Sequence, residues 1–212
     1  MVRILPQRAL FLVILAAFAA RGATLDVQVR DPAGKPVADA AVYAMPASGP
    51  SEARRGRTVA VEQRDREFVP YVTVVQTGTS VTFPNLDPIL HHVYSFSPSK
   101  PFEIKLYSGD PPTGILFDKP GIVTLGCNIH DWMIGYIAVV STPYFAKSDA
   151  AGKARLGDMP PGVYEVHAWH PQQRAAPVPV VLQVAEATIL GFEIDPVPRR
   201  PKYKPPLDRS RY

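Results

Sequence analysis

An all-β fold follows from three features of the chain. Its 212 residues include 24 prolines spread along the length, which argues against long helices because proline lacks an amide proton and clashes with the preceding helical turn. Short apolar runs, several of period two, recur instead. They are separated by Pro- and Gly-bearing turns such as Asp31-Pro32-Ala33-Gly34 and Pro160-Pro161-Gly162. Several short strands joined this way make a β-sandwich. A composition of 46% hydrophobic and 20% charged residues is globular, and the length suits one large or two small domains.

The chain opens with Arg3 and Arg8, an apolar stretch over 9–20, and small residues before Thr24. Residues 1–23 read as a secretory signal, too short for a comfortable membrane span, so membrane attachment is expected only if the segment stays uncleaved. Export of a chain with a single cysteine excludes an internal disulfide. A reduced thiol outside the cytoplasm then needs protection, which a metal supplies.

Strand signals follow in order: residues 25–29 with strict alternation, 41–45, 71–75, 80–83, 92–96, 102–107, 122–125 and 135–140. Residues 46–60 are polar, small and Arg-rich and read as a surface linker. Beyond residue 140 an Asp-x-x-Gly turn at Asp149–Gly152, a strand, a Pro-Pro-Gly turn and another strand lead to residues 178–182 and 189–194. Residues 196–212, rich in Pro and Arg, read as a disordered tail.

The sequence pI of 9.2 invites a nucleic-acid reading. The charge lies in the wrong places for it. Residues 1–23 carry three Arg and no acid, and the tail from Pro196 carries six basic residues against Asp208 alone. The body between them holds 14 basic and 18 acidic residues, so it offers no basic patch and no nucleic-acid partner is expected.

The chemistry concentrates in Cys127-Asn128-Ile129-His130-Asp131-Trp132-Met133, with a tandem His91-His92 upstream in a strand. A lone cysteine is commonly a small buried hydrophobe, and a Cys with a nearby His can be a nucleophile pair. A reactive thiol wants an electropositive, partly open site such as a helix N-terminus, whereas Cys127 ends the apolar run 121–126 in a chain with little helical pattern. A thiolate, two imidazoles and a thioether are the donor types of a trigonal His2Cys copper centre with a weak axial Met.

These residues resemble the cupredoxin family over about residues 68–140. Val81-Thr82-Phe83-Pro84-Asn85 followed by His91-His92-Val93-Tyr94 is similar to that family's strand, asparagine and first histidine ligand, and Phe117–Gly121 leading to Cys127 resembles its strand into the cysteine loop. The short Cys-x-x-His-x-x-Met loop is most similar to the amicyanins. The resemblance implies a Greek-key β-sandwich over residues 60–140 holding one type 1 copper ion. It implies His91, Cys127, His130 and Met133 as ligands, with His91 rather than His92 chosen by its distance from Asn85. It also implies a redox protein as partner, with a quinoprotein dehydrogenase or a cytochrome as candidates. The chain departs from the family at His92, Asn128 and Ile129, where Asn, Ser or Thr, and Pro are usual. His92 and Asn128 are expected to hydrogen-bond between the two loops and steady the thiolate.

Residues 24–50 and 141–195 resemble the two parts of a carboxypeptidase-regulatory-like, transthyretin-like sandwich. Neither part alone has enough strands to close a core, so the copper-binding domain is expected to be inserted in, or fused to, that second sandwich. His167 and His170 point to opposite faces of a strand and are expected to be structural or exposed rather than a second metal site.

The resulting expectation is an exported, periplasmic electron carrier and not an enzyme. Copper storage, delivery or sensing is the alternative, and a scaffold binding a partner or cell-wall polymer is a third reading. His130 is expected to show its ring edge at the surface. Ile129, Trp132, Met133, Pro88 and Ile89 are expected to form an apolar rim for docking.

Overall fold

The computed structural model describes residues 22–49, 56–111 and 113–197. The expected signal segment and tail fall almost wholly outside these residues, as does the middle of the expected linker. Every regular element among the described residues is a strand, so the chain is all-β.

Two strands come first, β1 (Ala23–Arg30) and β2 (Ala41–Pro46). Ten follow: β3 (Thr58–Ala60), β4 (Glu62–Arg64), β5 (Glu67–Val69), β6 (Val72–Gln76), β7 (Thr79–Thr82), β8 (His91–Ser95), β9 (Phe102–Tyr107), β10 (Ile115–Phe117), β11 (Gly121–Gly126) and β12 (Ile134–Val140). The last five are β13 (Phe145–Lys147), β14 (Lys153–Met159), β15 (Gly162–Trp169), β16 (Val180–Val184) and β17 (Ala187–Glu193).

The first and last strands share two sheets, ordered β14-β1-β17 and β13-β2-β15-β16. On β1 the period-two pattern buries Ala23, Leu25, Val27 and Val29. They join Val42 and Ala44 of β2, Leu156 of β14 and Val166 of β15 in one apolar core. Two turns of one construction bound it. The Asp31 carboxylate accepts the backbone N–H of Ala33 at 2.9 Å and of Lys35 at 2.8 Å, and Asp149 accepts those of Ala151 and Lys153, both at 2.9 Å. Each is an Asx turn closed by a left-handed glycine, Gly34 or Gly152. At Gly152 a Cβ would also lie 2.3 Å from the Val29 carbonyl oxygen, so that corner admits no side chain.

The middle strands build the sheets β6-β12-β11-β8-β9 and β10-β7-β3, with β4 and β5 as a separate hairpin. A second core fills the space between them, centred on Val81, Phe83, Phe117, Leu125 and Ile137 and reaching Cys127 and Met133. Tyr136 on β12 meets Trp169 on β15 edge to face, at 5.8 Å between ring centroids, and Ser141 Oγ lies 3.6 Å from Met45 Sδ. These contacts join the two sets of strands.

The expected linker over 46–60 is shorter than its composition suggests. Pro46 still belongs to β2, and β3 pairs in parallel with β7, Thr58 opposite Ser80. A three-residue strand is too short to show a period, and its paired residues lie 22 positions on in sequence.

Candidate metal centre

The cysteine is positioned by strand periodicity. On β11 Val123 and Leu125 point into the second core, and Cys127, two residues on, does the same at 3% exposure. On β8 the inward face carries His91, Val93 and Ser95, all buried, while His92 and Tyr94 face outward. The loop after Cys127 turns back at once, the Met133 N–H donating to the His130 carbonyl at 2.8 Å. That turn brings His130 over the strand end, where it is 1% exposed.

Three donor atoms meet there. Cys127 Sγ is 3.8 Å from His91 Nδ1 and 3.7 Å from His130 Nδ1, and the two Nδ1 atoms are 3.2 Å apart. Among the described residues this is the group of His, Cys, Asp or Glu side chains whose ligand atoms converge as a metal ion requires. Burial holds both imidazoles neutral: it lowers the pKa of His91, and together with the neighbouring His91 and Arg66 it lowers that of His130 to about 4. Neutral rings offer lone pairs, so a sulfur and two nitrogens present a soft donor set suited to copper or zinc. Met133 is buried in the same apolar cluster as Cys127.

The first histidine is held from behind. His91 Nε2 lies 2.7 Å from the Asp87 carboxylate. Asn85 anchors the loop carrying both residues: its side-chain amide donates to the carbonyls of Ile89 at 2.8 Å and Tyr107 at 2.9 Å, and its Oδ1 accepts the Asp87 N–H at 3.0 Å. Beneath the loop, Gln63 and Tyr107 share the Phe83 carbonyl as acceptor. Burial pushes the Tyr107 phenol up to about 12, so it remains a donor at any ordinary pH.

His92 has a different partner. Its Nε2 is 3.0 Å from Glu103 and its ring meets Tyr94 edge to face. It lines a shallow cavity together with Asn128, which is exposed.

The expected opening of His130 to solvent is not found. The Trp132 ring lies 5.1 Å from that of His130, and the Arg66 guanidinium sits 5.8 Å from the Trp132 centroid. An indole with a cation over its face thus covers the imidazole. Ile129 and Trp132 are partly buried against the second core, and Met133 and Ile89 are fully inside it or beside it. The apolar residues exposed on the first histidine's loop are Leu86, Pro88 and Leu90.

His167 stacks flat on Tyr43, with 4.8 Å between centroids, beside Glu165 at 3.5 Å. His170 is buried, its Nδ1 accepting the Gln172 N–H at 3.2 Å. The two serve separate local contacts, as the opposite faces of the strand imply.

No family model and no curated protein matches the chain. Solved structures match parts of it. A copper-containing nitrite reductase from Thermus scotoductus SA-01 is 26% identical, with 45% of this chain covering 25% of that one at a TM-score of 0.38. A purple cupredoxin from Nitrosopumilus maritimus is 19% identical, with 40% of this chain covering 100% of that one at a TM-score of 0.34. A reduced amicyanin variant is 17% identical, with 48% of this chain covering 99% of that one at a TM-score of 0.36. The chain therefore spans a quarter of the nitrite reductase and nearly all of the two smaller proteins.

Proposed function

We propose that this protein is an exported type 1 copper protein that carries single electrons between redox partners. The observation that supports this most strongly is the convergence of Cys127 Sγ with the Nδ1 atoms of His91 and His130 in a buried pocket at one end of a strand. Met133 would complete the set as a weak axial donor. Copper held there would supply a one-electron couple with little rearrangement of its ligands. The chain's own contribution is a dry, pre-formed cage: Cys127 and Met133 come from the core, and the two imidazoles arrive neutral.

In this reading residues 60–140 form the copper domain. Residues 24–50 and 141–195 form one transthyretin-like sandwich into which it is inserted, and the sharing of β1, β2 and β13–β17 between one pair of sheets and one core supports the split. The protein works in the periplasm, is not itself an enzyme, and exchanges electrons with a redox protein such as a quinoprotein dehydrogenase or a cytochrome.

Trp132 is the route in and out, because it covers His130. Trp132→Lys places a charge at the docking face without removing a ligand. The visible spectrum of the copper-loaded protein should change little, while electron self-exchange slows roughly tenfold, at the low end of charge effects on association rates. Unaltered exchange in that variant, with slowing instead from changes near His167 and His170, would move the docking face elsewhere. The same closed cover over His130 favours copper storage or delivery as the second reading. Tight Cu(I) binding without reversible cycling in voltammetry would select it.

A further inference from the structure

Asp87 does more than close a loop. Its Oδ1 accepts the Asp65 N–H at 2.7 Å, and its Oδ2 accepts the Arg66 N–H at 2.9 Å and faces His91 Nε2 at 2.7 Å. The two backbone donors sit at the tip of the β4–β5 hairpin, where Asp65 and Arg66 both take left-handed conformations between the paired Arg64 and Glu67. The carboxylate is thus fixed at one side by main chain and aimed at the imidazole on the other, with only 9% of its side chain exposed. A carboxylate only accepts hydrogen bonds, so the proton of the neutral His91 ring must be on Nε2. Nδ1 is then bare, and it is Nδ1 that faces Cys127 and His130.

We infer that Asp87 is a positioning residue that acts through His91: it fixes the Nε2–H tautomer, turns Nδ1 to the metal, and makes the ring a stronger donor that favours Cu(II) over Cu(I). The last part rests on the copper reading of the centre; the tautomer does not. A hydrogen-bonded carboxylate raises the basicity of a ligating imidazole, and the added electron density stabilises the more highly charged ion more. The β4–β5 hairpin thereby becomes part of the centre, although it contributes no ligand.

The variant to compare is Asp87→Asn, which keeps the shape. An amide cannot accept from three N–H groups arranged as these are, because one of its two atoms is itself a donor. In the metal-free wild type, the imidazole nitrogen chemical shifts of His91 should show one tautomer, protonated at Nε2. In Asp87→Asn they should show a mixture. With copper, the variant should lose roughly tenfold to a hundredfold in Cu(II) affinity, the usual range for loss of such a partner, and less in Cu(I) affinity. Each tenfold of that difference raises the midpoint potential by about 59 mV for one electron. A wild-type His91 protonated at Nδ1 would overturn the inference without any variant. So would a folded Asp87→Asn with unchanged tautomer and potential. If the wild type takes up no copper, the proposed function fails, and the tautomer measurement still decides the role of Asp87.

Discussion

Cys127→Ser should abolish the intense visible absorption of the copper-loaded protein. The colour of such a centre comes from charge transfer between a thiolate sulfur and Cu(II), and a serine oxygen is a harder donor that cannot supply it. His91→Ala should do nearly as much, with a loss of Cu(II) affinity beyond the roughly hundredfold upper range seen for second-layer partners. His92→Ala should leave both colour and affinity largely intact, because His92 faces Glu103 and Tyr94 on the other side of β8. Absorption spectra and copper titrations of the three variants distinguish these outcomes. A colourless His92→Ala beside a coloured His91→Ala would make His92, and not His91, the ligand.

The metal-free protein should lose stability steeply on mild acidification. His130, with its pKa held down to about 4 first by burial and then by the neighbouring His91 ring and the Arg66 charge, stays neutral in the folded chain. In the unfolded chain it protonates near pH 6.5. Below 6.5 the unfolded state therefore binds more protons, and folding stability falls as the pH drops until the folded state protonates as well. The loss therefore falls in the window between pH 6.5 and about 4, and His130 and the adjoining His91 share it. His91, His167 and His170 are lowered by burial too and add in the same direction. Urea unfolding of the metal-free protein at a series of pH values between 7 and 4 measures the loss. A flat profile over that range would mean that His130 is solvated and charged, and that the closed pocket under Trp132 is wrong.

How much of this was legible in the sequence depended on strand length and on which side of a strand the large residues lie. β11 and β12 are six and seven residues long, and their apolar runs showed them directly. The alternation Val123, Leu125, Cys127 already turned the thiol inward. β8 was harder. Its inward face carries His91, Val93 and Ser95, while the larger Tyr94 and the 85% exposed Phe96 lie on or beyond its outward side. Hydrophobicity alone places His92 inside, whereas the distance from Asn85, by resemblance to the cupredoxin pattern, singles out His91. The three-residue strands β3, β4 and β5 show no period, and the polar Gln63 in the middle of β4 is wholly buried, its side-chain N–H groups directed at the Phe83 carbonyl and the Tyr107 phenol. Asp87 and Arg66 are not legible for a related reason: their contacts join a hairpin tip to a loop some twenty residues on, and nothing local marks either one. The cover over His130 is not legible in the sequence because a tryptophan between two candidate ligands reads equally well as exposed rim or as lid.

The central claim is that Cys127, His91 and His130 hold copper as a trigonal thiolate centre. The most direct test is the visible and electron paramagnetic resonance spectrum of the metal-free protein after one equivalent of Cu(II). The expected spectrum combines an intense visible charge-transfer band with the small copper hyperfine splitting that strong covalency with a thiolate sulfur produces. A pale sample with the large hyperfine splitting of tetragonal nitrogen and oxygen ligation, or oxidation of Cys127 without bound copper, would contradict it.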